Sequence, residues 1–167
     1  MIRHLLYQIT NYLPAREISD GLTPYLERYY LCTVFGTRYY LHHFVGSDPD
    51  RGLHDHPWSW AFSIILAGWY WEETRSGTFK RRWLNFLVGD SFHRVVLPMA
   101  GGDSGKLQSA WTLFAHRAKR VKRWGFLRPV DECEAKYVLH EPNVSEIWWA
   151  GAPKGRHLRQ ARTAASL

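Results

Sequence analysis

Two histidines one residue apart, His54 and His56, stand in the stretch RGLHDHPWSW at the start of the most apolar segment of the chain. In a β-strand, residues i and i+2 point to the same face, so these imidazoles would lie side by side while Asp55 points the other way. Neutral imidazole is a good ligand for divalent transition metals. The spacing therefore favours a metal site, and polar residues at a strand end are the alternative.

The elements that must position this pair are predicted to be β-strands. From Tyr25 onward, runs of aromatic and β-branched residues alternate with Gly-containing turns, which is typical of an antiparallel sandwich or barrel. One strand is predicted over residues 53–66, and it would carry both histidines. Residues 2–13 predict a short helix that ends at Pro14. After Pro129 the pattern weakens, and DECEAKYVLHE is compatible with a helix or a strand.

These signals divide the chain of 167 residues into three parts. Residues 1–24 are an N-terminal extension with helical character, and residues 25–150 form one β-domain. Residues 151–167 are predicted to be a basic mobile tail, because basic residues are mixed there with Gly, Ala and Ser.

A third imidazole, His93, follows the Gly89-Asp90 turn in GDSFHRVV, at the start of another predicted strand. The arrangement resembles the cupin superfamily, whose jelly-roll barrels carry a first motif G-x5-H-x-H-x(3,4)-E-x6-G and a second motif ending G-x-x-H. His54, His56 and the closing Gly68 match the first motif. Gly89 and His93 approximate the second, with one extra residue between them.

The stretches SDPDRGLHDHPWSW, GDSFHRV, WTLF and RWGF are similar to those of a group of bacterial and phage cupin-like proteins. This resemblance covers about residues 25 to 128. It implies an all-β fold, a single cupin-type antiparallel β-barrel or jelly roll with a short N-terminal helical segment. One departure is that the cupin spacing places the family's glutamate at Ala61, or at Trp60, and neither has a carboxylate.

The resemblance therefore implies a three-histidine site, His54, His56 and His93, for one divalent transition metal such as Fe, Zn, Ni or Mn. Three neutral ligands leave the metal its full positive charge and open positions, which suits an anionic small molecule or dioxygen. A hydrolytic zinc would fit the same ligands. His42 in YYLHHFV is a fourth candidate, with a hydrogen-bonded core histidine as the alternative.

Two arginines flank these motifs. Arg51 is the candidate for substrate binding, because a guanidinium can clamp a carboxylate or phosphate. A salt bridge to Asp48, Asp50 or Asp55 is the alternative reading. Arg94 follows His93 directly and would point to the opposite face. The side chains that follow the turn at Gly68, Glu72 and Glu73, are expected to be exposed.

Composition limits the partners. The formal net charge is +7, yet no nucleic-acid recognition motif is present, so we expect a solvated basic surface without specific nucleic-acid binding. The longest apolar run, residues 58–71, is too short for a membrane span. The two cysteines, Cys32 and Cys133, are expected to be buried, and they fit a reducing cytoplasm. Exposed edge strands favour a homodimer.

These observations predict a metal-binding cupin, and the missing glutamate favours either an Fe(II) dioxygenase acting on a small molecule or a degenerate protein that is not an enzyme. Two alternatives stay open: a non-catalytic cupin module for binding or interaction, and a metal-dependent sugar isomerase or epimerase. The fold does not choose among them, because function depends on the site. The sequence assigns no catalytic residue beyond the metal ligands.

Overall fold

Two six-stranded antiparallel sheets face each other in a jelly roll. A computed structural model describes residues 1–21, 23–101, 105–130, 134–141 and 145–165. The helices are α1 (Ile2–Thr10) and α2 (Gly155–Ala165), with a 3-10 helix at Trp148–Ala150. The strands are β1 (Ala15–Ser19), β2 (Pro24–Val34), β3 (Thr37–Phe44), β4 (Leu53–His54), β5 (Trp60–Ala67), β6 (Tyr70–Thr74), β7 (Gly77–Arg81), β8 (Leu84–Val88), β9 (His93–Val96), β10 (Ala110–Arg117), β11 (Gly125–Pro129) and β12 (Ala135–Leu139).

The first sheet has the order β1-β2-β3-β10-β5-β8, and the second has the order β12-β11-β4-β9-β6-β7. The sheets remain two separate hydrogen-bonded units and do not close into one barrel, so the all-β prediction is confirmed in its jelly-roll form. The predicted N-terminal helix is α1. The stretch after Pro129, which was compatible with a helix or a strand, contains the strand β12.

The strand predicted over residues 53–66 is in fact two strands in different sheets. Its first part is β4 in the second sheet, and its second part is β5 in the first sheet. Pro57 lies between them, and a proline has no N–H to donate to a ladder. The chain therefore leaves the second sheet after His54 and crosses at Pro57 to the first sheet, with an isolated bridge between Trp58 and Arg120.

The packed interior lies on both sides of the first sheet. Between the sheets, buried side chains that include Phe44, Ile65 and Val95 form one cluster. On the outer face of the first sheet, α1 covers a second cluster that includes Leu6, Tyr29 and Trp111. Of the helices in the described residues, none is long and apolar enough to cross a membrane.

The C-terminal segment, expected to be mobile, forms α2 and packs on the N-terminal part of the chain. The Gly155 N–H donates to the Leu13 carbonyl at 3.0 Å, and the Arg159 guanidinium donates to the Tyr29 hydroxyl at 2.7 Å. Gly155 is buried so tightly that an added Cβ would lie 2.2 Å from the Thr10 carbonyl oxygen. β1 also belongs to the first sheet, although it lies in the predicted extension. The domain boundaries at 24 and 150 stay predictions.

The close approach at Gly155 predicts that Gly155→Ala lowers the free energy of unfolding by about 1–3 kcal/mol, because α2 must move away from Thr10 and Tyr29 to admit a methyl group. A mobile tail would instead tolerate alanine or gain helix propensity from it. Urea unfolding measures the change. Gly151→Ala is the matched control, since a Cβ there meets nothing within 4 Å, and a change within about 0.5 kcal/mol is expected. Equal stabilities for the two variants would contradict the docking.

Candidate metal centre

Three imidazoles converge where the second sheet faces the cavity. His54 ends β4, His56 lies just before Pro57, and His93 begins β9 directly opposite His54 in the ladder. One ligand nitrogen from each ring lies within 4.8 Å of the other two. The Nε2 atoms of His56 and His93 are 2.9 Å apart. The structure thus brings together the three histidines singled out in the sequence, and the spacing of their nitrogens fits a single ion.

Glu72, expected to be exposed, is buried directly behind this cluster. Its side chain is 1% exposed, and Oε1 accepts a hydrogen bond from His93 Nδ1 at 2.9 Å. That bond fixes the His93 tautomer, so that Nε2 keeps its lone pair toward the cluster. Sequence spacing missed Glu72 because the carboxylate supports a ligand from the neighbouring strand β6 and does not occupy the motif's glutamate position. Ala61, at that position, is buried in the apolar core.

Glu72 also accepts hydrogen bonds from both sheets. Asn85 Nδ2 on β8 lies 2.6 Å from Oε1, and Arg81 Nε on β7 lies 2.7 Å from Oε2. Burial alone would raise the pKa of this carboxyl, but the hydrogen bonds from His93, Asn85 and Arg81 outweigh burial and hold the pKa at about 2. Glu72 is therefore a carboxylate throughout the physiological range.

Asp55 points away from the cavity, as expected from strand alternation, and it anchors the segment that carries the two neighbouring histidines. Its Oδ1 accepts the Gly125 N–H at 2.7 Å, and its Oδ2 accepts Lys122 Nζ at 2.7 Å. The Tyr137 hydroxyl lies 3.2 Å from both oxygens. Although β4 has only two residues, these bonds hold His54 and His56 with their rings on the cavity side.

Burial keeps the two histidines of this segment neutral. Removal from water lowers the pKa of His54 well below its usual value, and His93 and Arg51 add to the effect. Burial likewise lowers the pKa of His56, with neighbouring His54 and His93 contributing. Both rings therefore offer a lone pair at neutral pH, which a metal ligand requires.

The structure does not bring His42 into the cluster. His42 is buried on β3 in the first sheet, and its Nε2 accepts a hydrogen bond from Arg28 Nε at 3.0 Å. Its ring stacks on Phe114 with centroids 4.5 Å apart. His42 Nε2 is thus already engaged in a hydrogen bond. The alternative, a buried histidine with a hydrogen-bond partner, describes His42 better, and that partner is the Arg28 side chain.

Arg51 lines the cavity beside the cluster. Its guanidinium lies 5.0 Å from the Phe126 ring centroid, and one nitrogen lies 3.4 Å from the Tyr25 hydroxyl. Its Nε is buried and has no hydrogen-bond partner among the described residues. None of the ion pairs of these residues joins Arg51 to Asp48, Asp50 or Asp55, so the salt-bridge reading is not what the structure shows.

Arg94 points away from the cavity, as expected, and pairs with Glu73 and Asp50.

Cys32 is exposed, which corrects the expectation that it is buried. Cys133 lies outside the described residues.

The cavity has a volume of about 510 Å³, within the range of small-molecule sites. Trp58 forms part of its wall and stacks on His56 and His116, with centroid distances of 5.3 and 3.6 Å. Aromatic rings and arginines from the first sheet face the three histidines across this space. A site of this kind can hold a small organic ligand next to a metal ion.

Comparison with known proteins places the fold. No family model and no curated protein matches the sequence. Among solved structures, a cupin-like protein from Thermotoga maritima aligns with a TM-score of 0.50 at 15% identity, over 71% of this chain and 89% of that one. A cupin-2 domain protein from Rhodospirillum rubrum gives 0.50 at 14% identity, over 66% and 72%. A DMSP lyase from Ruegeria pomeroyi gives 0.51 at 12% identity, over 72% and 64%.

These similarities, at such low identity, concern the fold alone. The chain has the cupin fold, in agreement with the resemblance of its sequence motifs. It spans less than two thirds of the length of the DMSP lyases it matches. On this fold, His54, His56 and His93 form a group that could hold a metal ion.

The buried histidines of this cavity predict a loss of stability on acidification. Burial lowers the pKa of His116 to about 3, whereas the unfolded chain takes up that proton near pH 6.5. The contribution of neutral His116 to the free energy of unfolding is therefore fully present above pH 6.5. It falls by about 1.4 kcal/mol per pH unit as the pH falls from 6.5 toward 3. We expect the free energy of unfolding to drop between pH 7.5 and 5.5, and by about 1 kcal/mol less in His116→Asn.

Urea unfolding at the two pH values measures this difference. His4→Asn, at an exposed position on α1, is the matched control for loss of one imidazole. An identical pH dependence in wild type and His116→Asn would show that His116 is not held neutral by the fold.

Proposed function

We propose that His54, His56 and His93 bind one divalent transition metal and that the protein is an Fe(II) dioxygenase of an anionic small molecule. The observation that carries the proposal is a cluster of three imidazoles with no carboxylate among its ligand atoms. Such a set leaves the metal its full charge and open positions. Bound Fe(II) would supply the redox chemistry that activates dioxygen and a positive charge that attracts an anionic substrate.

The residues around the cluster fit a metal. The His93 Nδ1–H is held by Glu72, so the orientation of this ring is set before any ion binds. His54 Nδ1 lies 4.0 Å from Asp48 Oδ2, which places a second carboxylate beside a second imidazole. Glu72 supports the His93 ring from behind, whereas Asp48 lines the cavity beside His54, and neither carboxylate belongs to the group of converging ligand atoms.

Arg51 is the residue we assign to orient the substrate. It is held near the cluster by its own loop, because Asp48 Oδ2 accepts the Val95 N–H at 2.9 Å and Ser47 Oγ accepts the Leu97 N–H at 2.9 Å. Those bonds tie residues 47–48 to the strand that begins with His93. A carboxylate or phosphate oxygen of the substrate would satisfy the unpartnered Arg51 Nε.

The metal site predicts that wild-type protein purified without chelator contains close to one metal ion per chain and that His56→Ala contains none. Loss of one of three ligands leaves too few donors for stoichiometric binding. Metal analysis by inductively coupled plasma mass spectrometry measures this. His42→Asn is the matched control, since His42 is buried in the same cavity but lies outside the cluster. Metal in His56→Ala at the wild-type level would refute the site.

The dioxygenase assignment predicts oxygen uptake by the Fe(II)-loaded protein in the presence of its substrate. We expect an oxygen electrode to detect uptake with at least one member of a panel of small thiols, organic acids and organic phosphates, and none with His56→Ala. In Arg51→Gln, we expect KM for a responding acid to rise about tenfold or more, because one charged hydrogen bond is lost.

Stoichiometric metal without oxygen uptake across the panel would contradict the dioxygenase and favour the non-catalytic binding module. Aldose–ketose conversion by the metal-loaded protein would instead support the sugar isomerase.

A further inference from the structure

Three arginines line the cavity on the wall opposite the histidines. Arg16 lies on β1, Arg28 on β2 and Arg38 on β3, all in the first sheet. The histidine cluster belongs to the second sheet and the crossing that follows it. Packed sheets are about 10 Å apart, so one small molecule can contact both walls.

Arg16 and Arg28 are direct partners in the antiparallel pairing of β1 and β2. Like charges directly opposite each other on one sheet face are destabilising. Burial lowers the pKa of Arg16 to about 10, and the charge of Arg28 adds to the effect. The fold therefore holds two guanidiniums together at a cost in stability.

No ion pair between described residues joins a carboxylate to this cluster. Seven pairs join a lysine or arginine to an aspartate or glutamate in that part of the chain, and none involves Arg16, Arg28 or Arg38. Glu146 also lines the cavity, but it pairs with Arg120 at 2.9 Å. The Nε atoms of Arg16 and Arg38 are buried without a hydrogen-bond partner among these residues. Donors of this kind lack only an acceptor.

The three side chains are held in place by aromatic rings. The guanidiniums of Arg16, Arg28 and Arg38 lie 5.0, 5.5 and 5.0 Å from the ring centroids of Trp148, Tyr40 and Trp149, respectively. Arg28 is fixed further by its bond to His42. The Tyr40 ring lies 6.3 Å from the ring of Trp148 and 6.5 Å from that of Trp149, so the rings that hold the three arginines are neighbours. A site positioned in this way before a ligand binds loses little side-chain entropy on binding.

We propose that Arg16, Arg28 and Arg38 form a subsite for a phosphoryl group of the ligand, so that the substrate is a small organic phosphate with its phosphoryl group on the first sheet and its reacting part toward the histidines. A phosphoryl group offers three oxygens from one centre to three guanidiniums, whereas a dicarboxylate spreads its charge over two separated groups. The inference deepens the proposed function and rests on it for the reacting part, but the subsite itself requires no metal.

The test is phosphate binding by metal-free protein, prepared with chelator and titrated with inorganic phosphate in isothermal titration calorimetry. We expect saturable binding by wild type and a dissociation constant at least about tenfold higher in Arg16→Gln and in Arg38→Gln. Arg82→Gln removes the same charge at an exposed position and is expected to bind phosphate like wild type. Malonate, titrated at the same ionic strength, is expected to bind more weakly than phosphate.

Wild-type affinity in Arg16→Gln and Arg38→Gln would overturn the subsite, and tighter binding of malonate than of phosphate would overturn the phosphoryl assignment. Circular dichroism and thermal unfolding without phosphate show whether the variants fold. Arg16→Gln is expected to melt at or above the wild-type temperature, because it removes the repulsion from Arg28. Phosphate binding by protein that never holds a metal would refute the proposed function and support the subsite, so the two failures are distinguishable.

Discussion

The site depends on one buried charge, the Glu72 carboxylate between the two sheets. Its oxygens accept hydrogen bonds from His93 and Arg81 in the second sheet and from Asn85 in the first. A buried carboxylate is tolerated only when such partners compensate for its lost hydration. The same bonds that make Glu72 tolerable also fix the orientation of His93 and tie strands of opposite sheets together. Ligand geometry and sheet packing therefore share one interaction.

The cavity has two walls with different chemistry. The second sheet supplies imidazoles, with Glu72 hydrogen-bonded to His93 and Asp48 lying 4.0 Å from His54. The first sheet supplies arginines packed on aromatic rings, with buried nitrogens that have no acceptor among the described residues. The histidine side fits the proposed metal ion, and the arginine side fits the proposed phosphoryl group. The proposed ligand is therefore one whose negative charge lies at the end remote from the histidines.

Much of this could be predicted from the sequence, and the errors have identifiable physical causes. Strand alternation correctly placed His54 and His56 on one side and Asp55 on the other. The segment is held in this conformation by the hydrogen bonds of Asp55, however, and not by the long strand that was predicted. Glu72 was misplaced because WYWEET has apolar residues at both parities, so its pattern does not reveal which face is buried. The group formed by Arg16, Arg28 and Arg38 was not predicted. Arg16 and Arg28 are brought together by the register of β1 against β2, and the hydrophobic periodicity of the sequence does not specify that register.

The division between the walls has a consequence for how this protein can change over generations. A substitution at Glu72 would alter both the packing of the two sheets and the orientation of His93. The residues around the three histidines are therefore constrained by stability as well as by the site. β1 is an edge strand of the first sheet, and Arg16 contacts the site only through its side chain. Under the proposed function, exchanges on β1 would change which molecule fits the cavity without touching the three histidines. Arg51, which lies beside those histidines, would keep its own part in orienting the ligand.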